Sequence, residues 1–203
     1  MKTGKLVLLF SSLMFFINSG CMYAIRYDGA YNGKVIDAYT GAPIEGAVVL
    51  GVWNVVHRGP AGGVTEYYDA RETVTDKNGE FSVSGMGLRI MSNLEPMSVV
   101  IFKAGYEQLR YMLWESLKVD ILLKEKIKWE GNKPIIPLER LTMEERKKQG
   151  TPDIYVGERY DEKENITHSC LPKNIKLLPN EVNKELLEQG HKPYDLEGGR
   201  CEK

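Results

Sequence analysis

A chain of 203 residues that is 42% hydrophobic and 27% charged has material for one sizeable core with appendages, and too much apolar content for wholesale disorder. Its 27 lysines and arginines balance 28 aspartates and glutamates to a net charge of −1. With no basic stripe interleaved with aromatics, this excludes nucleic acid as the expected partner.

The chain begins with a positive start at Lys2 and Lys5, followed by a mostly apolar run of twelve from Leu6 to Ile17 and then by Asn18, Ser19 and Gly20. That is the layout of a secretory signal. As a helix the run would span about 18 Å, short of the ~30 Å hydrocarbon core, so it does not read as a permanent transmembrane segment. Ser19-Gly20-Cys21 resembles the cleavage box of bacterial lipoproteins, with Asn18 standing where that family usually has an aliphatic residue. The resemblance implies that residues 1–20 are a signal peptide and that Cys21 becomes the first mature residue, acylated on its thiol and its amine. It further implies a location in the cell envelope and a membrane partner held through that anchor. Met22 in place of an aspartate points to the outer membrane if the source is Gram-negative. With Cys21 lipidated, Cys170 and Cys201 remain as an even pair for an oxidising compartment. A bridge between them would close about 30 residues, worth ~3–4 kcal/mol.

Residues 21–30 read as a short tether. From Tyr31 the texture changes to short β-rich runs separated by turn residues. "GKVID" leads through a loop containing Gly41, Pro43 and Gly46 into "AVVLGVWNVV", dense in β-branched and aromatic residues. "RETVTDKNGEFSVSG" places Asn78-Gly79 between two strand-like runs, the signature of a type I′ hairpin. "MSVVIFKAGYEQLRYMLW" reads as two strands around Gly105. "KVDILLKE" alternates, with Val119, Ile121 and Leu123 on one face and Asp120, Leu122 and Lys124 on the other. Short strands without helical period predict an antiparallel sandwich.

Three pieces then combine. The first carries Gly33, Val35, Asp37, Thr40, Gly41, Pro43, Ile44, Gly46, Ala47 and Val49; the second Thr75, Asp76, Gly79 and Phe81; the third Gly105 and Tyr106. Together they resemble the carboxypeptidase regulatory-like domain. The resemblance implies a mainly β, seven-stranded antiparallel Greek-key sandwich of transthyretin (prealbumin-like) type over residues 31–125. It implies no peptidase, since this domain is the non-catalytic companion of such enzymes. Val56 to Ala70 inserts about fifteen residues where the family often has a shorter connection, and long loops are usually functional or disordered.

Residues 126–203 read as an irregular extension carrying two short helices, broken elsewhere by Pro134, Pro137, Pro152, Pro172, Pro179 and Pro193. Thr142 and Glu145 form a capping box for the first helix, which ends at Gly150. In the second, Asn180 reads as the cap, Val182, Leu186 and Leu187 as an apolar stripe, and Gly190 as the stop.

For chemistry the sequence offers little. His168, Cys170, His191 and Cys201 make an alternative zinc set, but their spacing is not that of a finger. Asp76, Asn78 and Glu80 suggest calcium without the distant bidentate glutamate of a calcium loop. The expectation is no metal and no cofactor. His57, Arg58, Tyr67 and Tyr68 in the inserted stretch form a candidate binding loop for an envelope protein or, through the tyrosine faces, a glycan. A hydrolase is a weaker alternative: only His57 lies within the sandwich region, and neither Ser82 nor Ser84 sits in a nucleophile elbow. "NIT" at 165–167 matches a glycosylation acceptor, incidental in a bacterial lipoprotein. The reading is a lipid-anchored, non-catalytic envelope protein.

Overall fold

The structure is a computed structural model that describes residues 25–59, 62–90, 92–120, 123, 125–161, 166–196 and 200–201. The expected signal segment, Cys21, Ile121, Leu122, Lys124 and Asn165 lie outside the described residues. Among those described, the chain is mainly β, with twelve strands in four sheets and two α-helices. None of the described helices is long and apolar enough to cross a membrane.

The described residues fall into two compact units. The smaller, from residues up to Gly29 and from Gly85 to Ser92, is a two-stranded ribbon. Its strands β1 (Ile25–Asp28) and β6 (Gly87–Ile90) run antiparallel. The expected tether is therefore partly strand. Asp28, 5% exposed, accepts the Met86 amide at 2.8 Å and closes the ribbon's end. A Cβ at Gly85 would lie 2.0 Å from the Gly29 carbonyl oxygen, so only glycine passes there.

The larger unit holds two four-stranded sheets in the arrangement of a β-sandwich. The first orders β5 (Glu80–Val83), β2 (Tyr31–Asp37), β10 (Lys133–Leu138) and β9 (Lys128–Glu130). The second orders β4 (Gly62–Val74), β3 (Val48–Gly59), β7 (Ser98–Phe102) and β8 (Leu109–Leu113). Tyr31 of the first sheet meets Trp53 of the second edge-on at 6.1 Å. Trp114 receives both Tyr31 and Phe81 edge-on, at 5.4 and 6.2 Å. A Cβ at Gly51 would come within 2.4 Å of the Met97 sulfur, so the missing side chain in mid-strand makes room for Met97.

The second sheet is buried on both faces. In β3, Val48, Leu50 and Val52 point away from the first sheet, and with Val100 and Phe102 they pack against Ile154, Leu171, Ile175, Leu178 and Val182. All of these are at most 4% exposed. That is why "AVVLGVW" is an unbroken apolar run and not an alternating one. The C-terminal part of the chain thus supplies a third layer of the fold and does not merely lie along it.

Several expectations are corrected here. The sandwich is neither seven-stranded nor wholly antiparallel, because β9 and β10 come from beyond residue 125 and β10 pairs in parallel with β2. Pro134 and Pro137 read as breakers, yet both lie within β10. The antiparallel pairing with β9 stops at Ile135, and a strand with one neighbour can turn a proline nitrogen to its open side. "KVDILLKE" forms no strand over its described residues: a 3-10 turn spans Trp114–Lys118, and Val119 is 73% exposed. Its alternation was too short to outweigh that turn. The run from Val56 to Ala70 is no loose loop, since β3 and β4 continue their pairing to Gly59 and Gly62. Asn78-Gly79 does not close a hairpin either. The strands on its two sides belong to different sheets, and the turn carries the chain from one to the other.

In that turn Gly79 has φ +74° and a Cβ would meet the Val35 carbonyl oxygen at 2.3 Å. Thr75, 2% exposed, fixes the turn's entry: its hydroxyl donates to the Ile44 carbonyl at 2.6 Å and accepts from the Ala47 amide at 2.8 Å. These contacts give a physical role to residues that carried the sequence resemblance.

The extension holds β11 (Gly157–Asp161), β12 (Ile166–Cys170), α1 (Met143–Gln149) and α2 (Leu177–Glu188). Helix α1 starts at the Thr142–Glu145 capping box as expected. Helix α2 starts three residues earlier than Asn180, and its first amides are satisfied by a distant carboxylate, described below. Its stop is a Schellman motif: His191 donates to the Leu186 carbonyl and Gly190, at φ +80°, to that of Leu187. The buried stripe is Leu178, Val182 and Glu185, while Leu187 is 61% exposed.

Candidate functional site

The residues expected to form a binding loop are strung along the β3–β4 hairpin. β7 accompanies β3 only from Val48 to Val52; farther out, apart from a bridge between Val55 and Leu94, β3 and β4 pair with each other. His57 Nε2 meets Glu66 Oε2 at 2.9 Å, with both side chains about 60% exposed. Arg58 pairs with Gly63 through its backbone, and its side chain lies outside the described residues. The pairing slips between Trp53 and Asn54, where Asp69 and Tyr67 are the respective partners, so Tyr68 is the extra residue of a β-bulge. Tyr67 packs onto the α2-facing core. Burial and the nearby Asp69 push its hydroxyl up to about 12, against a lowering hydrogen bond with the Ala70 backbone. Tyr68 stays 46% exposed. Tyr67 is thus the packed member of the pair and Tyr68 the exposed one.

Cys170 and Cys201 are brought together, with sulfurs 2.12 Å apart, a disulfide distance. Cys201 also donates its amide to Leu171, and Arg200 donates to the carbonyls of Pro172 and Ile175. Two of the four residues of the alternative zinc set are thereby engaged with each other. Among the described residues no group of three or more His, Cys, Asp or Glu side chains is placed to hold a metal. Asp76, of the calcium alternative, accepts the amides of Asn78 and Glu80 at 2.9 and 2.8 Å within its own turn.

One groove had no expectation attached to it. It opens where the parallel strands β2 and β10 end, is about 730 Å³, and is lined by Asp37, Tyr39, Thr40, Glu139, Arg140 and Thr142, among others. Asp37 accepts the Tyr39 and Thr40 amides at 3.0 and 2.9 Å and the Thr40 hydroxyl at 3.0 Å. The hydrogen bond from the Thr40 amide, aided by the Thr40 hydroxyl, the Tyr39 amide and Arg140, holds the Asp37 carboxyl below its usual range despite slight burial. Arg140 lies over the Tyr106 ring at 5.4 Å, and Tyr39 is 98% exposed. One open ring and one guanidinium equip a surface for stacking and hydrogen bonding, while the Thr40 and Thr142 hydroxyls donate to Asp37 and Glu145. Asp37 and Thr40 stood in the sequence as fold-motif residues; nothing there joined them to Arg140, because a parallel pairing across a hundred residues leaves no local signal.

The most connected ionisable cluster serves cohesion. Glu185 accepts Arg146 Nε and Nη2 at 2.7 and 2.6 Å, the Gly105 amide at 2.9 Å and Gln189 Nε2 at 2.5 Å. Glu181 accepts the Ala104 amide at 3.1 Å. Two glutamates of α2 thus hold the turn between β7 and β8. At the other end, Glu72 of β4 accepts the amides of Lys176, Leu177 and Leu178, the last two at 2.6 and 3.0 Å, and so caps α2 from the edge strand of the same sheet.

No family model matches the chain, and no curated protein matches it. Solved structures it is similar to include a Streptococcal ancillary pilin, at 13% identity and TM-score 0.31 over 57% of this chain and 30% of that one. Others are 3-chlorocatechol 1,2-dioxygenase from Rhodococcus opacus 1CP (19%, TM-score 0.30, 57% and 61%) and catechol 1,2-dioxygenase from Acinetobacter sp. ADP1 inhibited by bound mercury (14%, TM-score 0.31, 57% and 53%). In each case the match spans less than two thirds of the other chain. Likenesses this weak carry no functional information.

Proposed function

We propose that this is a lipid-anchored, non-catalytic protein of the cell envelope, whose β-sandwich with its C-terminal layer serves as a rigid interaction module. The carrying observation is the Ser19-Gly20-Cys21 box directly after a positive start and a twelve-residue apolar run. The mature chain would follow from Cys21, and acylation with more than one chain gives stable anchoring. The regulatory-like resemblance supports a scaffold role. So does the engagement of Glu72, Glu181, Glu185 and Arg146 in contacts that hold layers together. The outer half of the β3–β4 hairpin, with Val64 67% exposed beside His57, Glu66 and Tyr68, is the surface offered to a partner. The test is metabolic labelling with an alkyne fatty acid followed by membrane fractionation. Label and sedimentation that are both lost in Cys21→Ala support the reading; an unlabelled chain in the soluble fraction overturns it.

The groove at Tyr39 favours a second reading, a glycan-binding module of the cell surface. An open ring in one groove with a guanidinium suits a sugar face. Retention on cell-wall polysaccharide that disappears in Tyr39→Ala would support it, and equal elution of both proteins with the buffer front would dismiss it.

A further inference from the structure

The ribbon of β1 and β6 carries the least explained apolar surface in the described chain. Its register sets Ile25 opposite Ile90 and Tyr27 opposite Leu88. Side chains two apart on a strand share a face, so these four lie together on one side. They are 66, 65, 76 and 63% exposed, in the same order. Arg26 and Arg89, opposite each other, take the alternate face. Apolar residues scattered singly on a surface need no explanation; four in directly paired positions mark a contact face.

The sequence says what lies beside that face. Only Met22, Tyr23 and Ala24 separate Cys21 from Ile25, so four Cα steps of at most ~14 Å join the thiol-bearing residue to the ribbon. We infer that the Ile25–Tyr27–Leu88–Ile90 face rests in the headgroup region of the bilayer to which Cys21 is anchored, making the ribbon a foot on the membrane. This rests on the lipid-anchor reading and adds a second, non-covalent contact to it. Tyr27, and Tyr23 before it in the sequence, have the amphipathic ring that settles at headgroup depth. A second copy of the chain would also cover such a face. The tether, however, holds the bilayer within reach at all times, a standing effective concentration that no free partner matches.

The experiment uses the full chain, processed in a lipoprotein-competent host and reconstituted into phosphatidylethanolamine–phosphatidylglycerol vesicles. With Cys21 acylated and Cys170 joined to Cys201, a Leu88→Cys variant offers one free thiol for a nitroxide label, and Ile90→Cys repeats the measurement on the same face. The expected result is that accessibility to a water-soluble nickel chelate drops at least about threefold from detergent solution to vesicles, while accessibility to oxygen rises. Unchanged accessibility at both positions, with mass spectrometry showing acylated Cys21, overturns the foot and leaves the anchor intact. A drop that appears in detergent and grows with protein concentration overturns it in favour of self-association. A bare Cys21 that itself takes up the label overturns the anchor reading and the foot with it.

Discussion

Arg146 and Glu185, one on each helix of the C-terminal layer, face each other through two parallel hydrogen bonds of 2.7 and 2.6 Å, with side chains 11 and 4% exposed. Glu188 adds a further contact to the same guanidinium at 2.5 Å. A buried carboxylate deprived of its cation is left charged with too few partners, and such losses cost about 3–5 kcal/mol. Arg146→Met is therefore expected to lower the free energy of unfolding by about that much in urea titrations. The double variant Arg146→Met with Glu185→Leu should recover part of it, because removing both charges removes the desolvation penalty. A loss below ~1 kcal/mol for Arg146→Met would show that the pair does not hold the layer.

The same pair sets a pH dependence. Burial pushes the Glu185 carboxyl up, but hydrogen bonds from Arg146, Gln189 and Gly105, with the charge of Arg146, hold it below its ordinary value. A carboxyl whose folded pKa is depressed stabilises the fold above its unfolded pKa of about 4.3 and loses that contribution as pH falls through the folded value. The melting temperature should accordingly fall on acidification below about pH 4.5, and the slope should be shallower in Glu185→Gln. Identical slopes for the two proteins would place the acid sensitivity elsewhere.

Glu72 ties β4 to the start of α2. Replacing it with alanine leaves the amides of Lys176, Leu177 and Leu178 without their acceptor, a loss of about 1–2 kcal/mol by analogy with other helix caps. Hydrogen exchange should accelerate at Leu177 and Leu178 before it does so in β3. Protection unchanged at those two amides would mean that packing of Leu178 and Val182 alone fixes the helix.

Thr75 bonds with both the Ile44 carbonyl and the Ala47 amide from a buried position. Thr75→Val keeps the shape and orphans both groups, with an expected cost of about 2–4 kcal/mol, while Thr75→Ser should stay within ~1 kcal/mol of the parent. Equal stabilities for the valine and serine variants would contradict that role.

These residues also show what was legible in the sequence. Strands that advertise themselves by local composition, β2, β3, β7 and β8, were readable, as were the Thr142 capping box and the positive-φ turn at Gly79. So was the pairing of Cys170 with Cys201, once the lipoprotein resemblance had set Cys21 apart. Elements defined by distant partners were not. β10 holds two prolines and becomes a strand because β2 accepts it across a hundred residues. Helix α2 begins at Leu177 because Glu72 supplies its cap, which no window around Asn180 contains. The hairpin from Val56 to Ala70 reads as a loop because three glycines and Pro60 cluster in its middle, whereas its pairing continues to Gly59 and Gly62. Of the candidate binding residues, His57 and Tyr68 are exposed and Tyr67 is a packing residue. The Asp37–Arg140 groove needed the fold before it could be seen.

Intact mass analysis of the protein purified from the membranes of its host reaches the central claim most directly. The account requires a chain that lacks residues 1–20 and begins at Cys21, heavier than its sequence by a diacylglyceryl thioether and, where the host supplies it, an amide-linked acyl group. A species that retains Met1 to Gly20, or one that carries Cys21 with an unmodified sulfur, would contradict it.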